Sequence, residues 1–160
     1  MITVEYLKQL FNYSDGNLYY KKPRCNIKVG NKVGNLDSKG YLRTCIDYKE
    51  YRVHRLIWFY HYGEWPMYLD HINGDRLDNR IENLRPCSMQ ENNFNRKSLG
   101  GSSSQYKGVS RFRNKWRARF TFNGKEIHIG TFDTELEAAK AYDLATANIH
   151  KNFQRKNYEQ

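Results

Sequence analysis

The sequence predicts an α+β chain in two parts. An N-terminal strand-rich region carries a ββα pattern, and a flexible linker leads to a C-terminal three-stranded antiparallel sheet packed on one helix. Three observations predict it. In the first half, short strand-like runs alternate with Gly, Asn and Asp, and only brief stretches carry apolar residues at helical spacing. The segment "KSLGGSSSQ" (97–105) has Gly-Gly followed by three serines, the composition of a flexible tether. Beyond it, three strand-like runs lead into one long helical pattern. The expected boundaries are therefore 1–96 for the first domain, with its ββα core at about 50–96, 97–105 for the linker and 106–160 for the second domain.

Taken in order, "TVEYLKQLFNY" reads as a short amphipathic helix ended by the turn "SDGN". "LYYKK", "KVGNLD" and "YLRTCIDY" read as strands. "YRVHRLIWFYHYG" begins strand-like, then places Leu56, Ile57, Phe59 and Tyr60 at helical spacing, which predicts about two turns ending at Gly63. A short strand "YLDHI", a long polar loop (73–87) and a helix opening at Ser88 follow. Ser88 and Glu91 have capping-box spacing, which fixes the helix start and puts Asn92 and Asn93 on its second turn.

After the linker, "YKGVSRFR", "KWRARFTFNG" and "KEIHIGTFD" read as three strands, the last two joined by an Asn123-Gly124 turn. "TELEAAKAYDLATANIH" is a helix with a second capping box, Thr134 and Glu137. Ala138, Tyr142, Ala145 and Ile149 are expected on its sheet-facing side. In "NKWRARFTF", Trp116, Ala118, Phe120 and Phe122 alternate with Arg117, Arg119 and Thr121, so one sheet face is apolar and the other carries arginines. Val109 shares its parity with Arg111 and Arg113, so the first of these strands needs a bulge or turn.

Composition narrows the partners. The net charge is +10, from 27 Lys+Arg against 17 Asp+Glu, which favours a polyanion such as nucleic acid. Between Tyr106 and Phe132 there are seven Lys/Arg and one acid, Glu126. The three cysteines, Cys25, Cys45 and Cys87, form no CxxC pair, so neither a structural zinc nor a disulfide framework is expected. A reduced, cytoplasmic setting is the expectation, since no secretory signal pattern and no 18-residue apolar run occur.

The stretch "YLDHINGDRLDNRIENLRP" (68–86) raises the question of chemistry. It could be a solvated loop, or a metal site that cuts phosphodiester bonds. Such a reaction needs a base for water, a cation against the developing charge, and positioning. A carboxylate with an amide carbonyl suits Mg²⁺, which keeps waters and takes phosphate oxygens as further ligands. Adjacent strand residues point to opposite faces, so Asp70 and His71 serving one point demand a turn or bulge, for which Gly74 gives local freedom. Asp75 and Asp78 read as loop-structuring residues, and His54 as a packed helix residue.

The words "VHRLIWFY", "LDHINGDRLDNRIENLRP" and "CSMQENN" together resemble the HNH (ββα-metal) nuclease family, in its phage and intron homing-endonuclease branch. The resemblance implies His71 as general base, Asp70 and Asn92 as ligands of one Mg²⁺ (or Mn²⁺) per site, and Asn83 as the residue orienting the histidine and tying the loop to the strand. Asn93 is the alternative register for Asn92. Beyond the linker, "YKGVSRFRNKWRARF" and "NGKEIHIGTFDTELEAAKAYDLA" resemble the AP2 domain, a DNA-binding module of plant ethylene-response factors. That resemblance implies a DNA-facing set of Lys107, Gly108, Ser110, Arg117, Arg119, Glu126 and His128, with Arg111 and Arg113 beside them.

Together these readings give the expected function. The chain would be a site-specific DNA endonuclease of homing type, phage-encoded, acting on double-stranded DNA as a monomer or homodimer, and leaving 5′-phosphate and 3′-hydroxyl ends. The competing readings are a non-catalytic DNA-binding regulator with a vestigial HNH fold, and a restriction or phage-packaging nuclease.

Overall fold

A computed structural model describes residues 2–95, 101–150, 153, 156 and 157. The chain forms two compact units, Met1–Ser88 and Met89–Gln160. No described helix is long and apolar enough to cross a membrane.

The first unit opens with helix α1 (Val4–Leu10), whose N-terminus is capped by the Thr3 side chain accepting from the Tyr6 amide. The predicted helix is shorter than "TVEYLKQLFNY", because Phe11–Ser14 is strand β1, paired with β2 (Asn17–Tyr20). Asp15 and Gly16, both at positive φ, make the tight hairpin turn. Strands β3 (Asn35–Leu36), β4 (Leu42–Ile46) and β5 (Lys49–Arg52) form a second antiparallel sheet. Helix α2 (Val53–Tyr62) follows β5 directly and ends at Gly63 in the left-handed conformation, where the Gly63 amide bonds the Phe59 carbonyl. Its Val53, Leu56, Ile57, Trp58 and Phe59 are buried with Leu7, Phe11, Leu18, Val33, Ile46 and Leu84 in the core of this unit.

Strand β6 (Tyr68–His71) pairs antiparallel with β7 (Leu84–Cys87). Here the expected loop over 73–87 is corrected: its last four residues are a strand, and a 3₁₀ turn (Ile81–Asn83) precedes it. Pro86 hid this strand in the sequence, yet its missing N–H is tolerated in a two-stranded ribbon, where every strand has an open edge. Together β6, β7 and the following helix α3 (Met89–Phe94) give the ββα order in the chain.

The second unit holds α3, strands β8 (Val109–Phe112), β9 (Lys115–Phe122) and β10 (Lys125–Phe132), and helix α4 (Glu135–His150). The sheet order is β10-β9-β8, antiparallel throughout. The α4 capping box forms as expected: Thr134 N–H donates to Glu137 and the Glu137 N–H donates to Thr134 Oγ1. Among the described residues Ala138, Ala139, Tyr142, Asp143 and Thr146 are the buried positions of α4, whereas Ala145 is exposed. Thr146 substitutes for the expected Ala145 because its hydroxyl bonds back to the Tyr142 carbonyl, which satisfies it inside the core. The parity conflict in β8 is relieved by a turn only at Arg113, which leaves the strand at φ 55. Arg111 stays in regular register opposite Trp116, on the face of Val109, with its guanidinium carbon 5.4 Å from the Trp116 ring centroid. In the expected tether, residues 97–100 lie outside the described residues. Ser103 and Ser104, however, are tied down: Ser103 Oγ accepts from the Arg111 amide, and buried Ser104 donates to Glu135.

Candidate active site and nucleic-acid interface

The candidate site in the first unit is built on the end of β6. Asp70 and His71 are both buried, at 7% and 4% exposure. The β6–β7 register runs without a bulge, Asp70 opposite Arg85 and His71 opposite Leu84, and Gly74 turns the chain only after His71 by donating to its carbonyl. Accordingly the two side chains meet different partners. Asp70 Oδ2 accepts from Arg85 Nε at 3.1 Å and Nη2 at 2.9 Å. The His71 ring lies 5.0 Å from the His54 ring and 6.0 Å from the Tyr41 ring.

The loop between the strands is a hydrogen-bonded scaffold. Asn83 Oδ1 accepts from the Asn73 amide, and Asn83 Nδ2 donates to Asn73 Oδ1 and to the Asp78 carbonyl. Asn83 thus ties the loop to the strand end. Asp75 and Asp78 hold the loop as read from the sequence, with Asp78 gripped by Arg80 through two 2.8 Å bonds. The Arg80 hydrogen bonds pull the Asp78 carboxyl down to about 2. Asn79 Oδ1 is at hydrogen-bond distance from the His71 ring, 3.0 Å from Nε2. Asn79 is 1% exposed, and its buried Nδ2 has no hydrogen-bond partner among the described residues.

The electrostatics keep the histidines neutral. Burial is the largest influence on His71 and lowers its pKa, against the Asn79 hydrogen bond and nearby acids, which raise it. Burial likewise drives His54 down to about 3, helped by His71, Arg52 and Arg55. A neutral imidazole is the form that can accept a proton. Around it stand cations: Arg52 and Arg76 have their guanidinium carbons 4.5 and 5.1 Å from the Tyr41 ring centroid.

Asn92 lies half-buried on α3, which belongs to the second unit, and Asn93 is exposed on the same helix. Among the described residues no cluster of three or more His, Cys, Asp or Glu could hold a metal. The donor chemistry fits Mg²⁺ nonetheless, since that ion needs only one or two protein oxygens and completes its shell with water and phosphate. Asp70 is a hard oxygen donor of that kind.

Sequence reasoning missed Asn79, His54 and the Tyr41 cluster as parts of the site. His54 comes from α2 and Tyr41 directly precedes β4, and only the fold brings their rings to His71. Asn79 carried no signal in the sequence, since a buried asparagine in a mostly exposed polar loop stands out only once burial is known.

In the second unit the arginine-bearing face forms as the alternation predicts. Ser110, Arg117 and Thr131 make one cross-strand row, and Arg119 sits opposite His128. Arg119 is ion-paired with Glu126 at 2.8 Å, and Arg111, Arg113, Glu126 and His128 are exposed. The Arg117 guanidinium lies over Phe112, with its Nε buried and unbonded, as is Ser110 Oγ. Two positions of the set serve the fold. Lys107 Nζ donates to the Asn93 and Phe94 carbonyls at 2.7 Å, closing the C-terminus of α3. Gly108, at φ 73, sits where any Cβ would overlap the Tyr142 ring.

A ββα order with a buried Asp-His strand end, followed by a three-stranded sheet on one helix, defines an HNH-type nuclease joined to an AP2-like module. The chain belongs to the HNH endonuclease family, which matches it over residues 51–94. It is similar to an uncharacterized HNH endonuclease of Acanthamoeba polyphaga mimivirus, 34% identical over 88 residues, covering 54% of this chain and 45% of that protein. It is also similar to Protein 3.8 of Escherichia phage T7, 32% identical over 112 residues, covering 68% of this chain and 92% of the phage protein. An AP2-like ethylene-responsive transcription factor of Arabidopsis thaliana, PLT2, is 35% identical over 95 residues, covering 51% of this chain and 17% of that factor. The chain thus spans under half the length of the mimivirus protein. No solved structure matches.

Proposed function

We propose that this protein is a metal-dependent, site-specific DNA endonuclease of homing type, with residues 1–96 cutting and residues 106–160 reading the DNA. The observation that carries this reading is a buried, neutral His71 held by Asn79 at the end of β6, next to the Asp70 carboxylate. Asn79 Oδ1 lies 3.0 Å from His71 Nε2; with the ring proton on that nitrogen, Nδ1 would be the one that takes the proton from water. Asp70 and Asn92 are the residues that would hold the divalent ion, by the family resemblance. Bound there, Mg²⁺ would neutralise charge on the phosphate and on the leaving 3′-oxygen. Asn83 keeps the loop shut on the strand and so keeps Asn79 in place. The products carry 5′-phosphate and 3′-hydroxyl ends. On the second unit, Ser110, Arg117, Arg119 and His128 share the face open to a duplex, where arginine forks suit guanine edges.

The test is cleavage of double-stranded plasmid and of a random duplex library with Mg²⁺. The parent protein is expected to cut at a preferred sequence, and His71→Ala to bind the same DNA without cutting. Cleavage by His71→Ala at the parent rate would remove His71 from the chemistry. A parent protein that binds tightly and never cuts would instead mark a regulator.

A further inference from the structure

Beside His71 lies a cationic cluster that the reaction outlined above does not use. Tyr41, directly before β4, has its ring 5.2 Å from His54 and 6.0 Å from His71. Arg52, the last residue of β5, and Arg76, in the β6–β7 loop, both bring their guanidinium groups to this ring, at 4.5 and 5.1 Å. Arg76 is fixed further by donating from Nη1 to the Lys39 carbonyl at 2.7 Å. Three separate segments thus converge on one aromatic ring. Among the described residues neither arginine has a carboxylate within ion-pair distance. Arg52 instead adds to the positive field that depresses His54 and Arg55.

Asp37 acts electrostatically on Arg52, without forming an ion pair with it, and its Oδ1 accepts from the Lys39 and Tyr41 amides. Two guanidinium groups against one acid leave a positive excess on the ring, and a bidentate acceptor can bond the guanidinium N–H groups that remain once Arg76 Nη1 has bonded Lys39. A phosphodiester has the required shape and charge. We infer that Arg52 and Arg76, aligned by Tyr41, form a clamp for the backbone phosphate of the DNA strand being cut. This rests on the endonuclease reading for its catalytic part, whereas phosphate binding itself does not.

Two readouts on the full chain separate these. The first is binding of a 20-base-pair duplex in EDTA, followed across salt concentrations. The second is single-turnover cleavage of the same duplex with Mg²⁺. Arg76→Ala removes an exposed side chain from a surface loop, so the fold stays intact. It is expected to lower the salt slope of binding by about one and to cut the cleavage rate about tenfold or more. Arg76→Lys keeps the charge without the fork, so its salt slope should match the parent while its cleavage stays slow. Tyr41→Leu should weaken both readouts, as loss of the ring frees both guanidinium groups. An unchanged salt slope in Arg76→Ala overturns the clamp. So does parent-rate cleavage by Arg76→Lys, which would reduce Arg76 to a diffuse charge. If the parent itself never cuts, the endonuclease reading fails, and the salt slopes still decide whether the clamp exists.

Discussion

At the scale of single residues, the site depends on how histidines are held without charge. Asn79 Oδ1 lies 3.0 Å from the His71 ring and is fully enclosed, so it governs which way the imidazole points. Replacing it by alanine should slow single-turnover cleavage about 10–100-fold, with DNA affinity within about twofold of the parent. His54 gives a second handle. Its folded value is about 3, against about 6.5 when exposed in the unfolded chain. Between these values only the unfolded chain takes up the proton, so stability is complete above pH 6.5 and falls as pH drops towards 3. The slope is roughly 1.4 kcal/mol per pH unit for one group. Urea melts from pH 7 to pH 4 should show it, and His54→Gln should flatten the dependence by about one proton. The sequence made His71, Asp70 and Asn83 legible because their order and spacing survive in one dimension. It concealed Asn79, His54 and Tyr41, whose roles follow from a burial and a convergence that only the fold creates.

At the scale of elements, period and capping were readable and pairing partners less so. The alternation in β9 placed Ala118 and Phe120 inside and Arg117 and Arg119 outside, as a half-buried strand requires. The Thr134–Glu137 box set the start of α4. Strand β7 was obscured by a proline and by polar neighbours, since its identity as a strand comes from the β6 edge it meets. Two residues that the AP2 likeness assigns to DNA are committed to architecture. Lys107 closes α3, a six-residue helix too short to persist by itself. Gly108 admits neither a Cβ nor an ordinary φ. Gly108→Ala should therefore destabilise the second unit by about 2–4 kcal/mol, combining backbone strain with a displaced Tyr142. Thermal melts followed by tyrosine fluorescence would register it, and a melting temperature unchanged from the parent would contradict the packing described.

At the scale of the whole molecule, the +10 charge is divided between two tasks. One unit gathers Arg52 and Arg76 around the Tyr41 ring beside His54 and His71, and the other spreads cations over a sheet face with few acids to neutralise them. The pairing of Asp70 with Arg85, both largely enclosed, bears on how the protein behaves when starved of divalent ions. A naked carboxylate pressed into that strand end would push the ribbon apart, whereas one already matched by a guanidinium does not. Chelation should consequently silence the nuclease and leave its architecture standing. Scanning calorimetry in EDTA should then show a cooperative transition within a few degrees of that in Mg²⁺, so that any activity lost to the chelator is lost without melting the strand end.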